Sequence, residues 1–190
     1  MSERVSNLGR MRRIADQSIT AHAHLRDSLD RRTRILETTL LLSSAWVAVL
    51  GLAPDAVVSL FNPTPLHART FSGLIGMIVF ALALMEIKAN LRSRSRQHAT
   101  AVTTFFRIKN DLGALLAEPS SVTDEEWKSA KERYAAAGEF VTPIPESKFL
   151  LLKRKHLLKV AASKYLDGHP GASVRLFYLR MWCRDNLRRL

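Results

Sequence analysis

The residues in this chain whose types could do chemistry are six histidines, one cysteine and a scatter of carboxylates, and their spacing argues against most of it. His22, His24, His67, His98, His156 and His169 never fall at i, i+4, the helical spacing at which two imidazoles share an ion. His22 and His24 stand two apart and would face nearly opposite sides of a helix. Cys183 is the single cysteine, which excludes an internal disulfide and any multi-cysteine metal site; on an apolar helical pattern it reads as a small packing residue. The segment "SGLIG" lacks the lysine of a phosphate loop and lies inside an apolar run. The sequence therefore offers no catalytic residue and no metal site, and calls for no cofactor; it reads as a protein that is not an enzyme.

Two carboxylates and one basic run are more pointed. Glu37 and Glu86 each stand at the charged edge of a long uncharged stretch, and a ring of either in an oligomer would favour cations at a pore mouth. The plainer expectation is local pairing, Glu37 with Arg34 and Glu86 with Lys88 or Asn90. "RSRSR", which carries Arg92, Arg94 and Arg96, follows the second stretch within about a turn or two. Next to a membrane such a run contacts anionic lipid. No aromatic residue is interleaved with it, so direct nucleic-acid binding is not expected.

The elements that would position these residues are the uncharged stretches themselves. Thr38 to Pro54 holds seventeen residues without a charge and Thr70 to Met85 sixteen. That length falls between a core helix and a membrane span. Charge separates the two readings. Residues 1–37 carry eight Arg against five acids, residues 55–69 one of each, and residues 86–190 twenty bases against eleven acids. Basic flanks around a short neutral connection are the pattern of two spans with both termini in the cytoplasm. It also explains most of the net charge of +12. Sixteen residues cover roughly 24 Å, so thinning of the bilayer, flanking apolar residues such as Leu36 and Ile87, or oligomerisation would make up the rest. The competing reading is a soluble α-helical domain with two buried central helices. A cleaved signal peptide fits poorly, because the first apolar run starts only after 37 highly charged residues.

Small residues inside the runs, Ser44 with Ala48 and Ser72 with Gly76, fall in small-xxx-small register, and Gly73 adds a third small position on the second run. These are the expected helix-packing positions.

Before the first run, Leu8, Met11, Ala15, Ser18, Leu25, Leu29 and Leu36 step by threes and fours, with His22 and Arg32 in the gaps. After the second run, Leu91, His98, Val102, Phe105, Phe106, Leu112, Leu115 and Leu116 continue a stripe to about Glu118, with no Pro or Gly before Gly113. Two unbroken helices, Ser6 to Pro54 and Thr70 to Glu118, are expected, each 49 residues and roughly 70 Å long. Further on, Thr123 with Glu126 forms a capping box opening a helix to about Ala137, ended by Gly138. "VTPIPES" is an extended link with Pro145 suited to the first turn of a helix to about Leu166. A last helix from about Ser173 is apolar over so wide an arc that more than one neighbour should cover it.

The expected fold is thus an all-α membrane protein, a long antiparallel two-helix hairpin containing two transmembrane spans, with a C-terminal helical cytoplasmic module. Its parts are a cytoplasmic amphipathic helix (1–37), span one (38–54), a short extracytoplasmic connection (55–69), span two (70–87), a cytoplasmic continuation helix (88–118) and the C-terminal module (119–190). Such a stalk would transmit a push or twist between cytoplasm and membrane.

This layout, with Tyr134, Pro143-Ile144-Pro145, Phe149, and Lys153 and His156 before Lys159, resembles the SLATT-type family of two-span effectors associated with bacterial nucleotide-sensing conflict systems. The resemblance implies an inner-membrane effector that forms homo-oligomers. When a partner senses infection, it would open a pore or disrupt the membrane, causing cell death or dormancy. A sensor, nucleotidyltransferase or reverse transcriptase is the kind of partner it implies, and the last helix extends beyond the family plan. Two other classes remain open: a non-conducting membrane anchor recruiting a partner through residues 120–190, and a soluble helical protein binding nucleic acid.

Overall fold

The computed structural model describes residues 2–52, 65–120 and 122–187, and every regular element among them is an α-helix. In chain order these are α1 (Ser2–Leu52), α2 (Pro65–Ala89), α3 (Leu91–Ala117), α4 (Asp124–Phe140), α5 (Glu146–Gly168) and α6 (Val174–Leu187). The expected connection at 55–69 lies largely outside the described residues. α1 runs without interruption because its sequence holds no proline to remove a backbone donor.

The expected second long helix is instead two, meeting at Asn90, whose φ is +46°. Hydrogen bonding persists through the junction: the Asn90 N–H donates to the Glu86 carbonyl at 3.2 Å and the Arg94 N–H to the Asn90 carbonyl at 3.1 Å. Asparagine is among the few non-glycine residues that accept left-handed φ, because its short amide can hydrogen-bond locally. The break therefore falls on this residue rather than on Ala89 or Leu91.

The chain forms two compact units. One joins the start of α1, through His24, to everything from His98 onward; the other is Leu25–Gln97. In the first, Leu8, Met11 and Ala15 of α1 pack with Phe105, Ile108 and Leu112 of α3 and with Ala130 and Ala137 of α4. Leu8 and Leu112 are the largest fully buried side chains, and alanine at 15, 130 and 137 lets helix axes approach, since interaxial distance follows side-chain size. α1 and α3 run antiparallel here, as Lys109 pairs with Asp16 at 2.6 Å and His98 meets His22. The apolar spacing expected on α1 holds for Leu8, Met11, Ala15 and Leu25, all buried; His22 is buried in one gap, whereas near the other Thr33 is buried and Arg32 exposed.

In the second unit α1 and α3 are again antiparallel, through the Ser95 hydroxyl on the Asp30 carboxylate and the Arg92–Glu37 ion pair. Much of the apolar side-chain surface described in this unit is uncovered: Leu41, Leu42, Trp46 and Val49 of α1 are exposed, as are Leu74, Met77, Ile78, Phe80 and Met85 of α2.

Thr123 and Glu126 form the expected reciprocal cap on α4. That helix runs past Gly138 to Phe140 and closes with the Val141 N–H on the Ala137 carbonyl at 3.2 Å. Pro145 stands just ahead of α5, its carbonyl accepting the Lys148 N–H at 2.9 Å. The broad cover expected for the last helix is absent. No residue of α6 is buried; it leans on α5, with the Phe177 ring stacked on Tyr165 at 4.9 Å between centroids.

Candidate functional site

The segment Gly73–Ala117 holds an apolar window long enough to cross a membrane, and none of that window is buried. It is the one such stretch among the described residues. A core helix of a soluble domain would have its window covered. Among the described residues, a methyl group built on Gly73 or Gly76 would meet nothing within 4 Å beyond its own stretch of helix. Ser44 is exposed, its hydroxyl donating to the Leu41 carbonyl at 3.0 Å, and Ala48 is exposed. The side chain of Ser72 lies outside the described residues.

At the charged end of α2 the fold gathers residues that the sequence places far apart. Thr33, Glu37, Glu86, Asn90 and Arg92 line a recess of about 350 Å³ whose apolar wall is Ile87 and Leu91. The Asn90 break lies in the chain between the two charged residues Glu86 and Arg92. Glu37 pairs across the helices with Arg92, 55 positions away, rather than with Arg34 one turn back. Half-exposed as it is, this pair is worth no more than ~1 kcal/mol; its effect is to hold Arg92 at the recess. Glu86 makes no ion pair among the described residues. Of the three arginines assigned to lipid contact, Arg92 is thus engaged by Glu37, while Arg94 and Arg96 are exposed on α3 and do not line the recess.

Thr33 is the member of this group that spacing alone does not reveal. It is 7 % exposed, and its hydroxyl is buried without a hydrogen-bond partner among the described residues. A buried hydroxyl left unpaired costs on the order of 1–3 kcal/mol, so native structures seldom carry one without a reason.

A second polar cluster lies inside the first unit. His22 and His98 are buried with their Nδ1 atoms 3.0 Å apart, and the His22 ring stacks on Phe105. Two Nδ1 atoms at that distance share a single proton, one donating and one accepting. Burial, and secondarily His98, pushes His22 down to about 4; burial and then Lys148 lower His98. Nearby, the Thr20 hydroxyl donates to the Asp16 carbonyl at 3.2 Å and so accepts from His156 Nδ1 at 3.1 Å, and Lys155 contacts His24. No group of three or more metal-ligating side chains occurs among the described residues. The histidine pair was hidden from sequence reasoning because the two rings come from helices 76 residues apart, and their pairing depends on helix register.

On the same unit, α5 and α6 enclose an open groove of about 660 Å³, with Leu157, Tyr178, Met181 and Trp182 on its walls and Lys153 and Arg154 beside them.

No protein-family model matches the chain, and neither the curated proteins nor the solved structures include one significantly similar to it.

Proposed function

We propose that this protein is a helical membrane effector that acts by oligomerising in the bacterial inner membrane and opening or disrupting it. The exposed apolar window of α2 carries the reading. Phe71, Leu74, Met77, Ile78, Phe80, Leu84, Met85 and Ile87 are all more than half exposed. At about 1.5–3 kcal/mol for full burial of each, their uncovered surface is worth roughly 10 kcal/mol, the scale of a whole domain's net stability. Lipid removes that penalty. The neighbouring run Thr38–Pro54 would supply the second span, and the basic flanks support a topology with both termini in the cytoplasm.

The open surface at Gly73 and Gly76 suits contact with a second copy, where small residues let helix backbones approach. In a symmetric oligomer, Glu86 at the end of α2 would repeat around the axis and favour cations, with Glu37 partly neutralised by Arg92. The apolar lining of such a path would close by dewetting. The SLATT-type resemblance supports antiphage defence as the setting, with cell death or dormancy following a partner's signal.

The test is dye entry and membrane potential in cells producing the protein, beside the variant Gly73→Leu/Gly76→Leu. Because an added Cβ at either site meets nothing within 4 Å among the described residues outside its own stretch of helix, the substitutions should leave the fold intact and abolish depolarisation. Intact potential in cells producing and triggering the native protein would sink the effector reading.

The α5–α6 groove favours a second reading, a membrane anchor that recruits a partner helix without conducting. Replacing both apolar runs with an unrelated anchor separates the two: retained activity supports recruitment, and lost activity supports the membrane-active effector.

A further inference from the structure

We infer that the recess beside Asn90 is a headgroup site for phosphatidylethanolamine, the ammonium held by Glu86 and Thr33 and the phosphate by Arg92. The inference rests on the reading of α2 as a membrane helix, which puts Glu86, at the end of the uncharged run, at the level of the inner headgroups.

The chemistry follows from what the recess offers and what it lacks. Two carboxylates and one guanidinium give it a formal charge of −1, so a headgroup that is only anionic is repelled and one that brings its own cation is favoured. A primary ammonium has three donors to place. Glu86 supplies a carboxylate with no ion pair among the described residues, and Thr33 supplies the buried hydroxyl whose hydrogen bonding is otherwise unmet. Asn90 lines the same space, and its amide oxygen is a third acceptor type.

The phosphate needs donors, and Arg92 has five N–H groups. Its Nη2 is given to Glu37, and the remainder are available to a phosphate oxygen on the side chain's exposed face. Holding Arg92 by Glu37 thus pre-orients the guanidinium. Ile87 and Leu91 offer an apolar wall where the headgroup gives way to glycerol and acyl chain. The volume, about 350 Å³, equals roughly ten water volumes at ~30 Å³ each, ample for a phosphoethanolamine group.

Choline is the discriminating comparison. Its trimethylated nitrogen carries the same charge on the same phosphate but has no N–H to give to Glu86 or Thr33. The two headgroups therefore test hydrogen bonding at constant charge.

The experiment uses the full chain in nanodiscs of phosphatidylethanolamine, phosphatidylcholine and phosphatidylglycerol in equal parts. Lipid retained on the protein after detergent extraction is counted by native mass spectrometry, for the native chain, Glu86→Gln and Thr33→Val. Retention of phosphatidylethanolamine over phosphatidylcholine should be on the order of ten-fold, the scale of one charge-assisted hydrogen bond, and should fall toward parity in both variants. Thr33→Val is close to isosteric and removes a hydroxyl with no hydrogen-bond partner among the described residues, so it should fold even if Glu86→Gln does not. Equal retention of the two lipids by the native chain, or a preference untouched by either variant, overturns the site while leaving the membrane reading intact. Recovery of the chain in a detergent-free supernatant overturns both.

Discussion

The Nδ1 atoms of His22 and His98 stand 3.0 Å apart inside the α1–α3 packing, so the two imidazoles share one proton where free histidines would hold theirs independently. In the unfolded chain each titrates near 6.5. In the fold His22 is pushed down to about 4, by burial first and by His98 second, and His98 is lowered in the same direction. Between pH 4 and 6.5 the unfolded chain then binds protons that the folded chain does not, so stability rises with pH across that window and is lost on acidification. Thermal melts at pH 5 and 7.5 should show the acid sample destabilised by at most about 2 kcal/mol from His22, less where water screens the ring edge. The pH dependence should flatten in His22→Leu/His98→Leu; an equally steep profile in that variant would assign it elsewhere.

Leu8 on α1 and Leu112 on α3 are each 1 % exposed within one core cluster. Leu8→Ala and Leu112→Ala should each cost about 2–5 kcal/mol in chemical denaturation. The adjoining Ala15, fully buried, has no room for a larger side chain, so Ala15→Leu should cost about 1–3 kcal/mol by overpacking. The cluster would be shown unimportant if all three variants unfolded at the native midpoint.

Thr123 and Glu126 exchange backbone and side-chain hydrogen bonds at the start of α4, and the backbone N–H of Thr123, before its hydroxyl, lowers the Glu126 carboxyl below its usual range. Thr123→Ala should cost about 1 kcal/mol. The carboxylate's contribution is present above the unfolded carboxyl pKa and disappears as pH falls through the lowered folded value. Amide exchange in the first turn of α4 should accelerate in Thr123→Ala at neutral pH and in the native chain under acid.

Asn90 holds a left-handed backbone conformation. Asn90→Gly should therefore be nearly neutral, whereas Asn90→Val should lose about 1–2 kcal/mol or restore a right-handed turn that fuses α2 to α3. Exchange protection at Ala89–Leu91 distinguishes these: a gain in the valine variant marks fusion, and a loss marks strain.

The helices were legible because each depends on neighbours in sequence. The three- and four-residue steps of Leu8, Met11 and Ala15 place them on one face whatever that face meets, and Thr123 with Glu126 caps its helix by purely local geometry. The junction at Asn90 was not legible: no proline or glycine announces it. Partners across helices were also hidden. Arg34 is the natural local partner of Glu37, yet Arg92 takes that place, because pairing α1 with α3 sets a register that no short motif encodes. Thr33 escaped notice for the same reason, since its burial depends on what the opposing helix presents.

α6 touches the rest of its unit through exposed or half-exposed side chains and buries none of its own. Opening it exposes little new apolar surface, so its local unfolding free energy belongs at the low end of the molecule's range. Hydrogen exchange should be fastest there among the helices, and a protease should nick the His169–Ser173 turn ahead of any other interhelical link in its unit. The rest of the chain would fold without it, and the last helix becomes the segment most readily surrendered to another binding surface.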